Sequence, residues 1–548
     1  MKMDDLALAA LTVFSLLASV LWYSWIFKKS KEGTTPYPPG PRGLPILGYL
    51  PFLQLNLHHQ FAELAQKYGP IYKLQLGSKL SIVISSPALI KEVVRDQDMI
   101  FANRDPPVAA VVATGGVDIA WSPYGPYWRD MRKLFVREML SNNNLQGTYV
   151  LRKEEVAKVV RDVSKKIGKP IEIGELVFLT ELNVILSLLW GGTIGEQKRD
   201  KLGAQFRDKV LKLVDLLGKP NVSDFFSVLA KVDVQGIEKE TRALMPSVEE
   251  ILDTVIDERT KMMGAEEGEL TAHESERRKD FLGILLEMKE QKVGEGSSFG
   301  RTQIKAILMV DGVPTCNPGS RKTNDSQSAQ LKENNILNFI SDIILGGTDT
   351  TATMVEWVMA ELLHNPDIMK KVQEELTDVV GENNIVEESH ITKLYYLDAV
   401  LKETFRRHPP VPLLIPRCPS QSCVIGGYMI PKHSQVFLNL WSVCMDPKVW
   451  ENPFEFRPDR FLKDNAGKFD YIGNNFQYIP FGSGRRVCPG LPLAERMVMY
   501  LLATLLHSFE WRLPEDEMVD LSEKFGIVMR KNTPLVATPY QRFRGYHI

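Results

Sequence analysis

Pro480-Phe481-Gly482-Ser483-Gly484-Arg485-Arg486-Val487-Cys488-Pro489-Gly490 runs into an apolar helical pattern from Leu493 to Phe509. Gly484 and Gly490 permit a tight loop that a flat ligand can approach closely, and Arg486 can pair an anionic arm of such a ligand. Cys488 stands just before a helix N-terminus, whose unpaired N–H groups and dipole favour thiolate over thiol. A lone cysteine in a large protein is more often a small buried hydrophobe, so a ligand role depends on what the rest of the chain supplies.

Upstream stand Glu403-Thr404-Phe405-Arg406 and Phe456-Arg457-Pro458-Asp459-Arg460-Phe461. Glu403 and Arg406 are spaced for an ion pair across one helical turn, an arrangement also common on exposed helices. In Trp128-Arg129-Asp130-Met131-Arg132 the four-residue spacing puts Trp128 and Arg132 on one helix face, where both can donate; the bland alternative is a solvated surface helix. Gly346-Gly347-Thr348-Asp349-Thr350-Thr351 combines poor helix formers with a flanking apolar period of Ile340, Ile343, Ile344, Met354 and Val358. A helix forced through such residues tolerates local widening, whereas a Gly-rich loop or cap is the alternative.

Phe481, Gly484, Arg486, Cys488 and Gly490 reproduce FxxGxRxCxG, and the chain thereby resembles the cytochrome P450 family. Glu403 and Arg406 resemble that family's ExxR, Phe456 to Phe461 its PERF motif, Trp128 to Arg132 its WxxxR, and Gly346 to Thr351 its (A/G)GxDT(T/S). The resemblance implies a mostly α fold with a small β part, binding haem b with Cys488 as axial iron ligand. An axial thiolate pushes electron density toward oxygen and promotes O–O cleavage. Phe481, Gly484 and Gly490 would frame the cofactor, and Trp128, Arg132, Arg417 and Arg486 would meet its propionates. Glu403, Arg406 and Arg460 would form a structural triad behind it. Asp349 would relay solvent protons and Thr350 would hydrogen-bond the oxygen being reduced. The implied activity is that of a monooxygenase fed electrons from NADPH by a P450 reductase. Phe101 to Arg104, Ser122 to Trp128 and His408-Pro409-Pro410 are similar to plant microsomal members of secondary metabolism. A haem-thiolate isomerase or dehydratase is the rival enzyme, and intact Asp349 and Thr350 count against it.

The 66 Lys+Arg nearly balance 68 Asp+Glu, which gives no basis for nucleic-acid binding. Five cysteines, Cys316, Cys418, Cys423, Cys444 and Cys488, show neither zinc spacing nor a disulfide framework. Leu6 to Phe27 is uncharged and as helix would span about 33 Å. It ends in Trp22, Tyr23, Trp25, Phe27 and then Lys28, Lys29 and Lys31, which reads as a single transmembrane anchor rather than a cleaved signal. The expected organisation is an anchor over 1–31, a stiff proline-rich hinge over 32–48 and a catalytic domain over 49–548. Basic charge after the span places that domain on the cytosolic side of the endoplasmic reticulum membrane. Met263 to Lys279 reads as a surface loop.

One stretch departs from the family pattern. Gln303 to Met309 looks like the start of the central helix, yet Asp342 to Gly347 resumes it only after the 32 residues 310–341. Pro314, Pro318, Gly312, Gly319 and many Asn and Ser give the insertion a loop composition. A retained intron would make the chain a haem-binding protein without turnover; a surface loop would leave the enzyme intact. Asn334 to Ser341 repeats the apolar spacing of the segment displaced, so the central helix is expected to start near Asn334. A loop from Val310 to Lys332 and a separate short helix at Gln303 to Met309 would precede it. The recognition stretches implied by resemblance, Pro107 to Val117, Ile343 to Leu345, Val411 to Ile415 and Phe525 to Val528, are largely apolar and suit a hydrophobic small molecule. A sesquiterpene-type terpenoid is the first reading and a flavonoid or other phenolic the second.

Overall fold

Leu491 to Ser508 forms the helix expected after Cys488, with Pro492 in its first turn, where a missing N–H leaves no bond unmade. Past Glu495 and Arg496 its sequence is mostly apolar, and residues 497–508 are buried throughout. The structure, a computed structural model, describes residues 12–17, 20, 35–116, 118–190, 196–226, 229, 232–266, 281, 334–462, 469–515 and 517–543. Among them the helices of twelve residues or more are α1 (Leu57–Tyr68), α2 (Pro126–Glu138), α3 (Tyr149–Ser164), α4 (Ile173–Trp190), α5 (Glu196–Gly218) and α6 (Ile237–Glu266). They continue as α7 (Asn334–His364), α8 (Pro366–Val380), α9 (Tyr395–Arg407) and α10 (Leu491–Ser508).

The strands are short, and most sit beside the helical body. β1 (Ile71–Leu76) and β2 (Lys79–Ile84) are a hairpin, and β2 also pairs in parallel with β6 (Gln435–Leu438), far downstream. β4 (Cys423–Ile425) and β5 (Tyr428–Ile430) form a second hairpin, and β8 (Glu523–Lys524) and β9 (Arg530–Lys531) a third. β3 (Ile171–Glu172) and β7 (Phe509–Arg512) flank β10 (Val536–Gln541).

The central helix α7 packs along α4 and α10, and Ile344, Val355, Trp357, Val358 and Leu362 are fully buried on it. It includes Asn334, inside the stretch foreign to the family pattern, so the first turns are supplied by the insertion's own end. The expected loop from Val310 to Lys332 and short helix at Gln303 to Met309 lie outside the described residues. Of the loop expected at Met263 to Lys279, Met263 to Glu266 instead continues α6. Met, Ala and Glu are good helix formers, so the helix runs on through them and only Gly264 resists it.

Among the described residues no helix is long and apolar enough to cross a membrane, so the expected spanning helix is not confirmed. Of Leu6 to Phe27 only 12–17 and 20 are described, as exposed helix. The hinge is extended from Pro36, but it is docked: Pro36 O accepts from Met429 N (2.8 Å), Pro39 O from Lys73 N (2.7 Å), and Tyr49 N donates to Gln75 O (2.6 Å). Its prolines lack donors, so Pro36 and Pro39 attach to β5 and β1 through their carbonyls, and Tyr49 just beyond adds a donor contact through its N–H.

Candidate functional site

Cys488 closes a loop on itself, its N–H donating to Phe481 O at 2.9 Å. Because α10 begins at Leu491, the N–H groups of Gly490 and Leu491 are among those a helix leaves unpaired, and both bond the Cys488 sulfur. Burial pushes the thiol up, and these N–H groups and the Arg132 guanidinium pull it back toward thiolate. Phe481 packs against Phe405 on α9 (ring centroids 5.3 Å) and Tyr471 (5.5 Å), tying the loop to the ExxR helix. Gly484 has φ +69°, and a Cβ there would stand 2.2 Å from Val94 O, so its need for glycine comes from the protein's own packing. Gly490 has ordinary backbone, and a Cβ would lie 3.7 Å from the Cys488 sulfur.

Trp128 and Arg132 do share a face of α2, the guanidinium 5.4 Å from the ring centroid. Trp128 Nε1 donates to Ile119 O (2.9 Å) and Arg132 Nη2 to Val487 O (2.5 Å). Arg486 lies over the same indole at 4.2 Å and donates to the carbonyls of Ala102, Ile119 and Ser122. Arg417 donates to Ser483 O (2.8 Å) and stands 3.4 Å from Asp98. Arg104, beyond the set expected from sequence, joins them through Ile415 O (2.6 Å) and Pro416 O (2.9 Å), with its Nε unpartnered.

These arginines are the test of fit for an anionic cofactor. Arg104, Arg417 and Arg486 are buried together, and burial, then Arg486 and Arg417, lower the Arg104 guanidinium well below its usual value. Mutually repelling buried cations bonded chiefly to carbonyls call for an anion. A haem with two propionates beside a sulfur supported by two N–H groups answers both features, so the residues fit the group.

The triad is assembled as spaced. Arg406 donates through Nε and Nη2 to the two oxygens of Glu403, each at 2.8 Å, and both side chains are fully buried. Arg460 Nε and Arg457 N reach Glu403 Oε1 at 3.1 and 2.8 Å, and Arg406 Nη1 bonds Cys444 O and Pro453 O. Removing one partner of such a pair costs about 3–5 kcal/mol because it strands a buried charge.

On α7 the two oxygen-motif residues face different ways. Thr350 Oγ1 donates to Gly346 O at 2.7 Å, and a Cβ on Gly346 would meet nothing within 4 Å, so this face borders open space. A Cβ on Gly347 would strike Ile185 Cδ1 at 2.5 Å; that glycine serves the contact with α4. Asp349, about 100° round the helix, is buried and held by Arg530 on β9 through Nε (2.9 Å) and Nη2 (2.8 Å). Burial raises its carboxyl, and Arg530 opposes that shift. Arg530 Nη1 in turn meets Asp215 on α5 at 3.0 Å. Sequence reading missed Arg530, which lies 181 positions from Asp349 with no spacing signal to join them.

The chain matches the cytochrome P450 family over residues 38–316 and 317–537, and it belongs to that family. It is 35% identical to geraniol 8-hydroxylase of Catharanthus roseus over 537 residues, covering 96% of this chain and 99% of the relative. Identity to flavonoid 3'-monooxygenase CYP75B137 of Crocosmia x crocosmiiflora is 35% over 536 residues, covering 96% of each. A zebrafish cytochrome P450 structure with progesterone, 24% identical, superposes with a TM-score of 0.69, covering 89% of this chain and all of that one. The protein is therefore a cytochrome P450 monooxygenase with plant relatives, and its cofactor is haem b. When bound, haem supplies oxygen activation; the Cys488 sulfur and the cationic cradle would hold it, with the Thr350 hydroxyl and Asp349 carboxyl on α7, the helix that carries the family's oxygen motif.

Proposed function

We propose that this enzyme inserts one oxygen atom of O2 into a hydrophobic terpenoid of sesquiterpene type, with electrons passed from NADPH by cytochrome P450 reductase. The reading of the substrate class rests on the apolar composition of the recognition stretches implied by the resemblance, among them Ala109, Ala110 and Ala113 on the short helix Val108–Thr114 and Ile343 on α7. A site built from such residues would select by shape and area and offer few polar anchors. The geraniol 8-hydroxylase relative supports a terpenoid. A flavonoid is the second reading, favoured by the flavonoid 3'-monooxygenase at equal identity. Thr350 on the open face would donate to the oxygen being reduced, and Asp349 would pass protons inward from the Arg530 and Asp215 side.

The exposed face of α2 carries Arg129, Lys133 and Arg137 beside the Cys488 loop, which suits an acidic electron-donating partner docking there. Membrane attachment is supported by exposed apolar residues in two segments that meet at the β1–β2 turn. Ile46 and Leu55 belong to the first, Val232 and Val234 to the second, and Gly77 N bonds Leu47 O while Ser78 N bonds Phe225 O. With the apolar N-terminal run, this supports a reading in which the enzyme is attached to the endoplasmic reticulum membrane with its catalytic domain in the cytosol. The test is incubation of membranes holding the enzyme and reductase with NADPH, isotopically labelled dioxygen and matched panels of sesquiterpenes and flavonoids. Labelled product from sesquiterpenes is expected; turnover confined to flavonoids overturns the terpenoid assignment.

A further inference from the structure

Away from the haem site, three imidazoles gather round one carboxylate. His58 and His59 open α1, their rings 4.1 Å apart, and Glu523 begins β8. Glu523 Oε2 lies 2.9 Å from His58 Nε2 and 3.3 Å from His59 Nε2, and the three candidate donor atoms all fall within 4.8 Å of one another. Around a tetrahedral zinc ion with bonds of ~2.0–2.1 Å, neighbouring donor atoms stand ~3.3 Å apart. On the far side of the carboxylate, His408 Nδ1 faces Glu523 Oε1 at 3.6 Å, while its Nε2 bonds Glu361 Oε1 at 2.7 Å.

Hydrogen bonding within the cluster leaves nitrogens over. His58 Nδ1 is a buried atom with no hydrogen-bond partner, whereas His59 Nε2 and His408 Nδ1 meet only the Glu523 carboxylate, at 3.3 and 3.6 Å, and the His408 side chain is 3% exposed. The rings are also held in place: His58 stacks on Phe525 (5.3 Å), His59 lies 4.3 Å from Trp441, and His408 stacks on Trp357 (3.9 Å). The His59 side chain is 38% exposed although its Nε2 is buried, so an ion would enter on a turn of that ring.

We propose that His58 Nε2, His59 Nε2 and Glu523 form a binding site for a divalent zinc-class cation, completed by water from the His59 side. Two neutral imidazoles and a carboxylate match the ligand preference of zinc. Because His58 Nδ1 has no acceptor to fix its tautomer, the site lacks the outer support of a structural zinc site and binds weakly enough to exchange. The ion would clamp β8 to α1. The β8–β9 hairpin carries Arg530, the partner of Asp349, so occupancy would stiffen the element that holds the proton-relay acid.

The experiment uses the untagged full-length haem-loaded protein, freed of adventitious metal by chelator and titrated with zinc chloride by calorimetry and thermal unfolding. One equivalent bound with a raised unfolding temperature is expected. His59→Ala removes a partly exposed ligand and should weaken binding about 100-fold or more, beyond the 10–100-fold typical of losing an outer-shell partner. Glu523→Gln should do the same, and His364→Ala, at an exposed histidine on the end of α7, should leave the affinity unchanged. The ferrous carbon monoxide spectrum of each variant reports that the fold is intact. Absence of stoichiometric binding in the wild type, or undiminished binding in His59→Ala, overturns the site.

Discussion

Cys488 differs from the other described cysteines by its neighbours rather than by its burial. Burial pushes the Cys423 thiol up to about 11 and the Cys444 thiol up to about 12, without any N–H group bonding either sulfur to offset it. At Cys488 the N–H groups of Gly490 and Leu491 supply that offset. Cys488→Ser should therefore abolish the red-shifted Soret band of the ferrous carbon monoxide complex, while Cys418→Ser, Cys423→Ser and Cys444→Ser retain it. Persistence of the band in Cys488→Ser would remove the ligand assignment. Thr350→Ala keeps the apolar lining and loses the hydroxyl on the open face of α7. Substrate affinity, read from the spectral shift on binding, should change little, whereas product formed per NADPH consumed should fall several-fold. Equal coupling in the two proteins would reject the role of the hydroxyl.

At the scale of elements, α3 and α4 meet around a carboxyl that the ion-pair pattern leaves behind. Arg152 on α3 is fully buried and spends its Nε and Nη2 on Glu388 at 2.6 and 3.0 Å. Glu181 on α4 is 2% exposed, its Oε1 has no partner, and burial raises it to about 8 despite Arg152 nearby. The unfolded chain releases this proton near 4.5 and the folded chain holds it until about 8. Between those values the native state binds more protons than the unfolded state, so stability falls as pH rises through the window. Glu181→Gln removes this dependence. Its unfolding free energy, from urea titration, should match the wild type near pH 4 and exceed it near pH 8, by on the order of a few kcal/mol. Parallel pH profiles for the two proteins would show that Glu181 is ionised in the fold.

For the whole molecule the question is whether the 32 residues over 310–341 break the enzyme. The family match divides at 316/317, inside them, yet resumes at once and runs to 537. Helix α7 includes Asn334 and carries the oxygen motif against α4 and α10 without interruption to His364. Helical phase, rather than chain length, decides where Thr350 and Asp349 point. The full-length chain should therefore bind haem with the same stoichiometry and thiolate spectrum as a variant lacking residues 310–341. Haem retained only by the shortened variant would identify the insertion as disabling.

Much of the site was legible because its groups are local in sequence. The Cys488 loop, the pair Glu403 and Arg406 and the pair Trp128 and Arg132 each lie within one turn or loop, where spacing alone sets direction. That the central helix takes in Asn334 was legible from the apolar period of the residues that follow it. What only the tertiary structure decided are the long-range partners: Arg530 on Asp349, Arg104 beside Arg417 and Arg486, and Glu523 between His58 and His408. Each joins elements that are neighbours in space but distant along the chain. Burial then selects such pairs, because a charge removed from water must find its partner wherever the packed elements bring one within reach.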